Sequence, residues 1–109
     1  MTWLYDLSYF WGGAFLSNAT PHLVSGVMGR PFQTPFAKPP GQGFSSSIVN
    51  VLWGFANLAA GYLLIFRVGA FDPHDNAHII ALGLGVLLMS LFAAWTFGRF
   101  NGGGARSDA

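Results

Sequence analysis

The sequence predicts an all-α integral membrane protein with three transmembrane helices, and three observations lead there. Only 8% of its 109 residues are charged, while 52% are hydrophobic and 17% aromatic; ordinary soluble chains carry about 25% charged residues. The few charges are also widely spaced. Between Asp6 and Arg30 lie 23 uncharged residues, between Lys38 and Arg67 lie 28, and between Asp75 and Arg99 lie 23. Each gap can hold a span of about 20 residues. Finally, the segments between these gaps carry the prolines, glycines and aspartates that end helices.

The N-terminus, "MTWLYDLSYF", has no Lys or Arg ahead of its apolar run, so it is expected to be retained rather than cleaved as a signal peptide. The first span is expected over residues 7–29. Gly12, Gly13, Asn18, Thr20, Pro21, His22 and Ser25 make it the least apolar of the three. Pro21 removes the helical bond to the Ser17 carbonyl, which predicts a kink there. A re-entrant or interfacial segment is the alternative, because polar backbone at membrane depth must be satisfied by protein or water.

Residues 30–45 form a loop with Pro31, Pro35, Pro39 and Pro40. Its Phe32, Phe36 and Phe44 need apolar cover, while Arg30 and Lys38 suit headgroup phosphate or acidic protein. The second span is expected over residues 46–66, ahead of Arg67 and Gly69. The third runs over 73–98, with Asp72 as N-cap, Pro73 at the first helical position and Asp75 three residues after the cap. Residues 1–100 thus make one helical membrane domain. The tail, 101–109, has no apolar residue larger than alanine and reads as disordered.

The cations set the orientation. Arg30, Lys38, Arg99 and Arg106 fall on one side, against Arg67 alone on the other. The positive-inside bias puts the proline loop and C-terminus in the cytoplasm and the N-terminus outside. The expected location is a bacterial cytoplasmic membrane or one derived from it.

Two polar stripes carry the candidate site. Asn50, Gly54, Asn57 and Gly61 recur at helical spacing on the second span, and Asn18, His22, Ser25 and Gly29 match them on the first. Small residues let helices approach closely while amides bond across the contact, each bond contributing about 0.6–2 kcal/mol. The faces Ala56-x-x-x-Ala60 and Ala81-x-x-x-Gly85 offer the same kind of contact. His22 has a second reading, as axial ligand to a haem or chlorin through one ring nitrogen. His74 and His78 share a helix face, but Asp72 and Asp75 are assigned to capping and two histidines leave a metal shell open, so no metal site is expected.

Without Glu or Cys, and with every Asp near a span end or in the tail, no catalytic constellation is expected. A net charge of +1 gives no footprint for nucleic acid. The leading expectation is a non-catalytic accessory subunit of a multisubunit membrane complex, respiratory or photosynthetic by association, whose partners are other integral subunits and lipid. The alternatives are a homo-oligomeric channel or transporter lined by Asn50, Asn57 and His22, and a pigment- or haem-binding protein.

Overall fold

A computed structural model describes residues 2–104. The chain is mostly helical. Its elements are α1 (Thr2–Val27), β1 (Phe32–Gln33), β2 (Phe44–Ser45), α2 (Ser47–Tyr62), which runs on through a π-helical turn (Leu63–Val68), and α3 (Asn76–Asn101). α2 with its π turn, and α3, are long and apolar enough to cross a membrane.

α1 continues as helix through Pro21. It ends where Gly29 takes a left-handed φ of 73°, which glycine adopts without steric penalty. The Arg30 N–H then bonds back to the Ser25 carbonyl at 2.8 Å, closing the helix end. The helix therefore begins at residue 2 and stops at Val27, not over 7–29, and Gly29 lies outside its helical face.

The expected loop contains a short antiparallel pair, Phe32 opposite Ser45 and Gln33 opposite Phe44. Ser46 then caps α2 by accepting from the Val49 N–H at 3.2 Å. The wider turn at the far end of α2 is tied to α1 through the Ser8 hydroxyl, which donates to the Leu64 carbonyl.

The start of α3 differs from expectation. Asp75, not Asp72, is the N-cap; its carboxylate accepts from the N–H groups of Ala77 at 2.9 Å and His78 at 3.4 Å. Asp72 instead accepts from the His74 N–H at 2.9 Å, closing a turn ahead of the helix. Both aspartates can cap, and neighbouring bonds decide between them: the Asp72 N–H is itself held by His78 Nδ1 at 3.0 Å. At the other end α3 reaches Asn101, three residues past the expected stop, and closes on Gly102 in the left-handed region. Asn101 is thus helix rather than tail. Residues 105–109 of the expected disordered tail lie outside the described residues.

α1 is the central element. It packs along both α2 and α3, which scarcely touch each other. The approach is close because glycine occurs where side chains would collide. A Cβ on Gly54 would sit 2.7 Å from the Leu23 side chain, and one on Gly85 would overlap the Phe10 carbonyl. At one end the proline loop meets the last turn of α3, with the Phe32 and Phe97 rings 4.8 Å apart. At the other, Tyr9 meets the α2–α3 connection: its hydroxyl accepts from the Ala70 N–H at 3.0 Å and its ring lies 4.5 Å from that of His78.

The distribution of polarity is reversed from that of a water-soluble bundle. Asn50, His22, Asn57, Gln33 and Thr34 are all at most 2% exposed. Gly85 is the one fully buried residue of α3, while Ile80, Leu87, Leu91, Phe92 and Trp95 are exposed.

Gly85→Val is expected to lower the thermal midpoint of the purified chain, since overpacking costs about 1–3 kcal/mol even where side chains can adjust and a carbonyl cannot. Gly83→Ala, at an exposed position with open space around it, should leave the midpoint unchanged or slightly raised. Equal effects of the two would refute the α1–α3 contact.

Candidate functional site

The polar side chains that join α1 to α2 come from helical positions whose neighbours three and four residues away lie on the same face. Asn50 lies one turn into α2, directly beside the strand pair. The two protons on its Nδ2 are shared among the carbonyls of Phe32 at 3.1 Å, Ser45 at 3.1 Å and Ser46 at 3.0 Å, and its Oδ1 lies 2.8 Å from His22 Nδ1. One amide therefore joins α1, α2 and the proline loop.

Two turns along α2, Asn57 repeats the arrangement more simply. Its Nδ2 donates to the Trp53 carbonyl at 2.8 Å, and its Oδ1 accepts from Asn18 Nδ2 at 3.0 Å. Between these bonds Gly54 seats Leu23, and beyond them Gly61 seats Leu16. The structure thus brings together Asn18, His22, Asn50, Gly54, Asn57 and Gly61.

The remaining expected positions behave differently. Ser25 is half-buried, and its carbonyl serves the end of α1. Gly26, which the sequence reading passed over, is the residue packed on α2: a Cβ there would meet the Ser47 carbonyl at 2.7 Å. Gly85 faces α1 and Ala81 is half-buried on the same helix, while Ala56 is exposed. In the loop, Phe32 is covered from within the chain by Phe97 and by His22, whose ring centroid is 5.5 Å away. Phe36 is exposed but stands edge-on to Trp53 at 5.0 Å. Phe44, Arg30 and Lys38 are exposed.

Three groups escaped the sequence reading. Gln33 and Asn101 exchange amide hydrogen bonds, at 2.9 Å from Asn101 Nδ2 and 3.3 Å from Gln33 Nε2. Ser17 and Ser90 join α1 to α3 at 2.7 Å. The hydroxyls of Thr34 and Ser45 bond across the base of the loop. Gln33 and Asn101 are 68 residues apart and lie in segments with no periodic pattern, so nothing in the sequence marks them as a pair.

Beside His22 is a cavity of about 310 Å³, bounded by α1, the proline loop and the last turns of α3. Its walls include Asn18, Thr34, Trp53, Thr96 and Phe97. Among the described residues, Trp53 Nε1 and Thr96 Oγ1 are buried without a hydrogen-bond partner, a state that costs about 1–3 kcal/mol for each group. Among the described residues no group of three or more His, Cys, Asp or Glu gathers to hold a metal ion. His78 lies with Tyr9 and Phe71 at the opposite end of α1 from His22, so the two histidines do not share a site.

No family model, curated protein or solved structure matches this chain. Its site is therefore read from its own geometry.

Asn50→Leu is expected to destabilise the chain by at least about 2 kcal/mol, because it strands several buried groups, and Asn57→Leu by about 1 kcal/mol. In a double-mutant cycle His22→Ala and Asn50→Ala should couple by about 0.5–3 kcal/mol. Additive losses in denaturant titrations would rule out the bond between them.

Proposed function

We propose that this chain is an integral membrane protein of three spans, a non-catalytic subunit whose outer faces meet lipid and other integral subunits. The observation that carries the reading is the reversed polarity: buried amides and histidine at the helix contacts, and large apolar side chains over the outside of α2 and α3. An apolar exterior on this scale is stable only against lipid or protein. α1 is less apolar than its neighbours because it is flanked by them on both sides, which supports counting it as the third span.

Self-association into a channel has less support. The side chains that such a path would need, Asn50, Asn57 and His22, are buried and bonded within one chain. The proline loop and the end of α3, with Arg30, Lys38 and Arg99, share one end of the bundle, and the positive-inside bias supports a cytoplasmic location for it. There Arg99 stacks over Trp95 at 4.5 Å, a pairing suited to a headgroup boundary.

The chain has no cysteine, so single introduced cysteines report topology cleanly. In sealed vesicles, Lys38→Cys should label from the side opposite to both Asp72→Cys and Trp3→Cys. Labelling of all three from one side would end the three-span reading. Purification in mild detergent should bring other integral subunits with the chain, and Leu84→Ser with Leu91→Ser should reduce their retention while the chain stays folded. A lone homo-oligomer would count against the subunit role.

A further inference from the structure

The bonds around Asn50 determine where a proton sits on His22. Nδ2 of Asn50 is surrounded by three carbonyl oxygens, which only accept, so that end is the amino group and Oδ1 faces the histidine. An amide oxygen also only accepts. Nδ1 of His22 is therefore the donor, and in the neutral ring Nε2 presents a lone pair. Among the described residues Nε2 has no partner.

His22 lines the 310 Å³ cavity together with Trp53 and Thr96, the residues whose Nε1 and Oγ1 are unpartnered. An indole N–H can only donate, and a hydroxyl can do either. Of the residues that line the cavity, His22 thus carries one acceptor, Trp53 one donor and Thr96 one group that adapts. Among the described residues no Lys, Arg, Asp or Glu lines the cavity, so an ionic ligand would lie there uncompensated by them. Phe97, Pro35 and Pro40 supply apolar surface. The volume is at the lower end of small-molecule sites, about 300–1,000 Å³, and accommodates one substituted ring.

We infer that this cavity binds a neutral hydroxylated ring compound, of which a quinol head group is the membrane-soluble representative. One ring hydroxyl donates to His22 Nε2, and an oxygen accepts from Trp53 Nε1 or Thr96 Oγ1. The role is binding alone; no bond or electron is transferred. All the residues belong to one chain, so the site is independent of whether the chain joins a larger assembly.

The test uses the full chain in phosphatidylcholine nanodiscs, titrated anaerobically by calorimetry with trimethylbenzoquinol and with its dimethyl ether, empty nanodiscs serving as the blank. Saturable binding of the quinol is expected, with the ether about tenfold weaker because it has no proton for Nε2. At least one of Trp53→Phe and Thr96→Val should weaken quinol binding about threefold to tenfold while the chain stays folded. Three results would overturn the proposal: no saturable binding up to about 1 mM, which leaves water as the occupant; equal affinities for quinol and ether; or a tetrapyrrole absorption band in the purified protein that His22→Ala abolishes.

Discussion

The Asn50 amide is the point on which the rest of the architecture depends. A single side chain shares its two amide protons among the carbonyls of Phe32, Ser45 and Ser46 and orients the His22 ring, so the proline loop, α1 and α2 share one buried anchor. None of these parts can be displaced without stranding polar groups in an apolar interior, where each unmade bond is expensive. The loop needs such an anchor, since its own strand pair is only two residues long on each side, and a pair of that length is not stable alone.

The second organising constraint is steric. α1 must lie against two helices at once, and it does so through contacts at Gly12, Gly13 and Gly26 in its own sequence and at Gly54, Gly61 and Gly85 in its partners. In the proposed lipid setting, apolar side chains gain nothing by leaving hydrocarbon for one another, and association depends on close backbone approach and interhelical bonds. The same setting accounts for the exposure of α3, whose large side chains turn outward while its one buried residue is a glycine.

These constraints also explain the cavity. Tying the proline loop down at Asn50 and at the Gln33–Asn101 pair fastens it on two sides, and the space left between them is walled by His22, Trp53, Thr96 and Phe97. The loop therefore does more than connect two helices. Its Phe32, an apparent liability in the sequence, is covered by Phe97 and the histidine ring, so the aromatic side chains it leaves outside are Phe36 and Phe44.

The sequence by itself determined the helix count and the long apolar stretches, because charge-free runs and helix-ending residues act locally. It also marked Asn18, His22, Asn50 and Asn57 at helical spacing, since periodicity places residues on a common face whatever the partner. Boundaries were less legible: Asp72 and Asp75 are equally good caps in isolation, and bonds to residues outside the cap chose Asp75. Only the tertiary structure decided which glycine of α1 meets α2, that α1 is central, that Gln33 finds Asn101, and that Trp53 and Thr96 share a cavity with His22. Each of those depends on segments distant in the chain being brought together, and such pairings leave no periodic trace in a single sequence.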